Sequence, residues 1–214
     1  MEVINVTITT DTICPWCYVG KKRFERAVAD FLQLKGTDNV EVHVKYQPFQ
    51  IDLTLPETAI NKLEHFGRKF GRDRFAQMNT YLDAIGEKEG IKFRHNGPIV
   101  NSIASHRLVK YAGTLSHDAQ DKVINTLYRF NFEEEKNIGD VDVLVEAGKA
   151  GGVDEEIVQN KIVGGDLMLK ETLDDIKNAN ASGISGVPHF VIDGKGVVSG
   201  AQESKTFVQL FQQL

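Results

Sequence analysis

Along the first fifty residues the spacing of apolar positions changes twice. Ile4, Val6 and Ile8 alternate with Asn5, Thr7 and Thr9, a period of two that predicts a half-buried strand ending near Thr10. Beyond Asp11-Thr12-Ile13 the period lengthens. Phe24, Ala27, Val28 and Phe31 stand at i, i+3, i+4 and i+7, the apolar stripe of a helix that begins at Pro15 and stops before Gly36. Val40, Val42, Val44 and Tyr46 then alternate with Glu41, His43 and Lys45, so a second strand runs to Pro48. A strand-helix-strand unit normally forms a parallel pair with a right-handed crossover.

From Leu53 to Ala181 the period of two disappears and helical spacing dominates. Predicted helices cover 74–88, 102–112, 118–132, 141–150, 154–163 and 167–180, separated by Gly90, Gly97-Pro98, Gly113, Gly139, Gly151-Gly152 and Gly164-Gly165. Asp140 is placed to cap the fourth of these. Tyr128, Phe130 and Phe132 read as core aromatics, and Glu133-Glu134-Glu135 as a solvated helix end. After Gly186-Val187-Pro188 an apolar run returns: Phe190-Val191-Ile192, an Asp193-Gly194 turn and Val197-Val198 predict a hairpin. Phe207, Leu210, Phe211 and Leu214 predict a closing helix, with Ser204 as its cap. The chain thus reads as α/β, its strands in segments 1–52 and 182–214 and a helical insertion, 53–181, between the second and third strands.

The chain has 214 residues, 41% hydrophobic and 26% charged, which argues against disorder and coiled coil. A net charge of −5 and no basic run longer than Lys21-Lys22-Arg23 speak against nucleic acid as a partner. No apolar run reaches the roughly 20 residues of a membrane span. Met1-Glu2-Val3-Ile4 enters the first strand without the regions of an export signal, so the cytoplasm is the expected location. Thiols there are kept reduced, and a bridge between cysteines three residues apart constrains little chain. With no further cysteine and no paired histidines at ligand spacing, a structural zinc site is not expected either.

The spacing of Cys14-Pro15-Trp16-Cys17 therefore points to redox chemistry. The motif lies where a strand passes into a helix, and Pro15 suits the first helical position because its missing N–H has no partner to lose. Cys14 then occupies the N-cap, where unpaired amides and the positive helix end favour a thiolate, and it is the expected nucleophile. Cys17, most of a turn onward and pointing inward, is the expected resolving thiol. Trp16 adds no positive charge, and Asp11 in the preceding loop would oppose a thiolate if close to it. Val187-Pro188 precedes an apolar strand, a position that suits a cis peptide bond and a backbone edge open to an extended peptide. His189 is expected to point away from the Pro188 face into an ordinary polar contact. For His106 and Arg107 a satisfied inter-helix hydrogen bond is expected rather than substrate binding.

This order of elements, with the thiol pair at the first helix and Val187-Pro188 before the hairpin, resembles the DsbA-like thioredoxin-fold family. Cys14-Pro15-Trp16-Cys17-Tyr18-Val19-Gly20-Lys21, Asn101-Ser102 with Ala104-Ser105-His106-Arg107-Leu108, Asn137-Ile138-Gly139-Asp140, and Gly186-Val187-Pro188 through Val198-Ser199-Gly200-Ala201-Gln202 resemble its FrnE-like branch. The resemblance implies a thioredoxin-like fold and protein-disulfide oxidoreductase or isomerase activity, with Pro188 in cis opposite Cys14. It further implies protein or peptide disulfides as clients, no tightly bound cofactor, and glutathione or a thioredoxin system as reductant. In a reducing compartment the pair favours reduction or isomerisation over net oxidation. Two rival readings are a glutathione-dependent small-molecule enzyme, of the 2-hydroxychromene-2-carboxylate isomerase or kappa-class transferase type, and a non-enzymatic redox sensor. The first of these typically carries serine in place of Cys14.

Overall fold

A computed structural model describes residues 2–36 and 40–213; Met1 and Leu214, which entered the strand and closing-helix patterns, lie outside them. Strand β1 (Glu2–Thr10) leads through a short loop into helix α1 (Pro15–Lys35), and β2 (Val40–Pro48) returns parallel to β1, Glu2 opposite Val40 and Thr10 opposite Pro48. Across the intervening segment run β3 (Ile60–Asn61), α2 (Lys62–Phe70), α3 (Arg72–Glu89), β4 (Pro98–Ile99), α4 (Ile103–Leu115), α5 (His117–Phe132), α6 (Val141–Ala150), a π-helix (Ile157–Val163) and α7 (Leu169–Ala181). The chain closes with hairpin β5 (His189–Ile192) and β6 (Gly196–Ser199), then α8 (Ser204–Phe211). The main sheet has the order β2-β1-β5-β6, with β5 antiparallel to β1. This is the thioredoxin-like arrangement that the strand-helix-strand pattern predicted.

One face of the sheet is closed by rings. Phe24 of α1, Phe190 of β5 and Phe207 of α8 lie 4.8–5.6 Å apart between centroids, and Phe31 packs on Phe211 at 5.1 Å. Buried aromatics of this size supply much of a core's apolar area. Helices of the insertion cover the other side. Strand β2 is a sheet edge, and α5 satisfies it: Gln120 accepts from Tyr46 N at 3.0 Å and donates to Tyr46 O at 3.2 Å. His117 Nδ1 meets Val44 O at 2.8 Å. These bonds cover the edge at Val44 and Tyr46.

Several local expectations need correction. Residues 53–73 hold helix α2, whose start was legible in Asn61 and Glu64: the Asn61 side chain accepts from Glu64 N at 2.9 Å. Inside the helical insertion Ile60–Asn61 also pairs with Pro98–Ile99. The predicted α-helix over 154–163 is largely π-helical. Asp140 stands at the N-cap of α6 but makes no capping bond, its carboxylate accepting instead from Asn137 Nδ2 at 2.6 Å. Ser204 is not the cap of α8; Glu203 holds that position, and the Ser204 hydroxyl donates to Arg23 O. The run Glu133-Glu134-Glu135 is no merely solvated end. Glu133 accepts from Tyr18 OH and Lys92 N, and Glu135 from Asn96 N, which fastens α1 and the segment between α3 and β4 to the end of α5. The basic run is not a surface stripe either: Lys21 is buried against Glu25 and Asp121, and Arg23 against Glu89 and Glu203.

No described helix is long and apolar enough to cross a membrane. Among the described residues no cluster of three His, Cys, Asp or Glu side chains could hold a metal ion.

Candidate active site

Strand β1 delivers the chain to the buried loop Asp11-Thr12-Ile13, and Cys14 follows as the N-cap of α1 in extended conformation, with Pro15 at the first helical position. Cys14 N donates to Asp11 O at 3.1 Å and Cys17 N to Cys14 O at 3.0 Å. Both cysteines are free and almost fully buried. The Cys14 sulfur lies 3.9 Å from the carbonyl oxygen of Val187, so the structure brings the helix start and the Val187-Pro188 loop together across 173 residues. The Val187-Pro188 bond is cis. Gly20 makes this approach possible: a Cβ there would stand 2.6 Å from Pro188 Cγ.

The two thiols differ in surroundings. Burial, followed by its hydrogen bond and charge interaction with Cys14, pushes the Cys17 thiol well above its ordinary pKa, against smaller opposing bonds from the Thr10 hydroxyl and Asp11 backbone. Cys17 therefore holds its proton. Cys14 is the sulfur at the helix N-cap.

Beneath the pair lies a polar floor. The Asp11 carboxylate accepts from Ile51 N at 2.8 Å and Ile13 N at 3.3 Å, so it is held by two amides. His106 Nε2 lies 2.9 Å from Phe49 O and 3.3 Å from Asp11 Oδ1. Since a carbonyl can only accept, Nε2 carries the hydrogen. The Thr12 hydroxyl meets Ser105 Oγ at 2.7 Å, Asn131 Nδ2 donates to Thr12 O, and Thr10 Oγ1 pairs with Tyr128 OH at 2.6 Å. Burial, chiefly, and the nearby Cys17 push Tyr128 well above an ordinary phenol.

Beside Cys14 opens a cavity of about 380 Å³, lined among others by Trp16, Phe66, Phe70, Phe75, Phe93 and Phe132. Ile13, Cys14 and Pro15 form one side; Lys62, Lys69, Asp52, Arg94 and His95 bring charge and polarity to the rest. The sequence reading missed this wall because it missed α2. The signal was Lys62, Phe66 and Phe70 at i, i+4 and i+8, with Phe75, Met78 and Leu82 repeating the pattern on α3. Trp16 packs on Tyr81 of α3 at 6.0 Å. Asp52 is drawn upward by burial, yet hydrogen bonds from Lys69, Thr54 and His65 together hold it well below the ordinary carboxylate range.

Histidine and arginine expectations divide as follows. Arg107 donates to the carbonyls of Leu167, Gly165 and Lys161, a purely structural bracket for the loop after the π-helix. His189 meets Ser199 Oγ at 3.2 Å, an ordinary cross-strand contact. His106 is structural too, but its partners are the Asp11 loop and Phe49 rather than another helix.

Comparison with known proteins gives the same frame. A family model described as DSBA-like thioredoxin domain matches residues 5–212. The crystal structure of a probable DsbA oxidoreductase, SCO1869 from Streptomyces coelicolor, superposes with a TM-score of 0.86 at 30% identity, over 98% of this chain and 89% of that one. The uncharacterized protein YwbO of Bacillus subtilis (strain 168) is 24% identical over 95% of this chain and 94% of its own. The cytosolic disulfide reductase DsbM from Pseudomonas aeruginosa, solved with glutathione, shares the fold with a TM-score of 0.63 at 17% identity, covering 98% of this chain and all of that one (100%).

Proposed function

Because the chain belongs to the DSBA-like thioredoxin domain family, a family of thiol-disulfide oxidoreductases, we propose that it reduces or isomerises disulfides through Cys14 and Cys17. The observation that carries this reading is the setting of the pair, with Cys14 at the N-cap of α1, its sulfur 3.9 Å from the Val187 carbonyl oxygen, and Cys17 three residues further into the helix. The Cys14 thiolate attacks one sulfur of a client disulfide; that bond breaks, a mixed disulfide forms, and the departing sulfur leaves as a thiolate. Cys17 then attacks Cys14, its proton passing to the second departing thiolate. The client gains two electrons and the protein is left with a Cys14–Cys17 disulfide.

Val187 and Pro188 form one side of the substrate groove in this reading. Among the described residues the Val187 N–H has no hydrogen-bond partner, which leaves it for an extended client strand. Pro15 and Trp16 shape the mouth of the site. Glutathione or a thioredoxin system returns the disulfide to the dithiol, in a reducing cytoplasm.

The test is turnover of a scrambled protein and of insulin by wild type, Cys14→Ser and Cys17→Ser. Cys14→Ser is expected to lose activity entirely, and Cys17→Ser to accumulate a mixed disulfide with the client. Unchanged turnover in Cys14→Ser would overturn the assignment. The aromatic-lined cavity beside Cys14 favours one rival, a glutathione-dependent enzyme for small molecules; tight glutathione binding without disulfide turnover in wild type would select it.

A further inference from the structure

Among the described residues two lysines are buried, Lys21 and Lys62, and one of them has no counter-ion. Lys21 has Glu25 and Asp121, Arg23 has Glu89 and Glu203, and Lys69 at the cavity rim has Asp52. Lys62 is 7% exposed, lines the cavity shared with Cys14, and rests over the Phe132 ring at 5.9 Å. Among the described residues its ammonium has neither an ion pair nor a hydrogen bond. It also occupies the first position of α2, where the helix dipole adds positive potential and disfavours a cation. Burial holds its pKa down to about 8, against the attraction of Glu135.

Its surroundings leave that charge uncompensated. Asp52, the acidic group on the cavity wall, is committed to Lys69, His65 and Thr54; His95 is held by Asp83. Arg94, on the same wall, is exposed and its guanidinium has no partner among the described residues. A buried charge without a partner is costly, and here it stands in an apolar cavity large enough for a small organic molecule. An anionic group entering the cavity supplies the missing partner.

We propose that Lys62 is the anion-binding residue of the substrate cavity, and that the disulfide attacked by Cys14 is a small compound with an apolar body and a carboxylate that seats on the Lys62 ammonium. This rests on Cys14 being the attacking thiol. The rings of Phe66, Phe70, Phe93 and Phe132 take the apolar body, and Lys62 fixes its orientation toward the sulfur.

Dithiobis(nitrobenzoate), an aromatic disulfide with carboxylates, and neutral dithiodipyridine serve as probes. With either, Cys14 displaces one aryl thiolate to form a mixed disulfide, and Cys17 displaces the second. The second-order rate with the carboxylate probe is expected to fall at least tenfold in Lys62→Met and to recover in Lys62→Arg, while the rate with dithiodipyridine stays within twofold. A readout free of thiol chemistry is quenching of Trp16, the only tryptophan. Nitrobenzoate should bind wild type at least tenfold more tightly than Lys62→Met, and nitrobenzamide both equally. If Cys14 reacts with neither disulfide, the functional reading fails. If it reacts with both and Lys62→Met changes the rates with the charged and the neutral probe equally, this inference alone fails.

Discussion

Under the thiol pair and beside it, polar groups are buried on opposite terms. On the floor, Asp11 is held by two backbone amides and approached by His106, Thr12 by Ser105 and Asn131, and Thr10 by Tyr128; the Ser102 hydroxyl, next to Ser105 on α4, has no partner among the described residues. On the cavity wall, Lys62 is buried too, at 7% exposure against 0–3% for the floor groups, and has a ring beneath it but no acceptor. A closed set of hydrogen bonds fixes the loop that carries Cys14. An open one leaves a charge for something outside the chain. The difference separates the part of the site that holds geometry from the part that selects a ligand.

The largest test of this contrast is Asp11→Ala. It removes the acceptor of Ile13 N and Ile51 N in a fully buried position, and each stranded donor costs about 1–3 kcal/mol. A loss of about 3 kcal/mol, or a melting temperature lower by about 6–12 °C for a chain of this size, is expected. Calorimetry at neutral pH checks it. A loss below about 1 kcal/mol would mean that water replaces the carboxylate and that the floor is not closed.

How much of this the sequence showed follows from the range of each signal. Cys14, Cys17 and the N-cap setting were legible because the motif, the period change and Pro15 sit within a few residues of one another. Pro188 was legible as a strand-start proline. The floor was not, since Asp11, His106, Asn131 and Tyr128 meet only after α4 and α5 fold over the β1 loop; each alone reads as an ordinary polar or core position. Lys62 was hidden for a different reason. Its helix is short, lies in a stretch rich in charge, and its apolar stripe faces a cavity rather than a core, so the pattern that marks most helices was diluted.

The next test in size is Lys62→Met, which keeps the stem and removes the charge. The folded value of about 8 lies below the ordinary 10.5, so the folded protein binds fewer protons than the unfolded chain between those two pH values. Stability therefore rises with pH across that window, and below it the buried charge is a full penalty. At pH 7 Lys62→Met is expected to be more stable than wild type by on the order of 1–3 kcal/mol. The gap should close as pH rises from 8 to 10.5. Denaturant titrations of both proteins at pH 7, 8, 9 and 10.5 measure it, the difference between them cancelling the groups common to both. A destabilised variant at pH 7 would show that Lys62 already has its partner inside the protein.

The smallest effect belongs to Tyr128→Phe. The ring stays in its stack with Tyr18 at 5.1 Å, and only the hydroxyl bonded to Thr10 Oγ1 is lost, which costs about 1 kcal/mol. Thr10 keeps its other neighbour, the Cys17 thiol. The useful comparison is with Asp11. The two side chains touch the same loop through different atoms, so a double variant tells whether the floor acts as one network or as separate bonds. Additive losses would mean that the Asp11 and Tyr128 bonds hold the loop independently. A double variant that loses less than the sum would mean that each bond holds only while the other does, and that the loop carrying Cys14 is set by the floor as a whole.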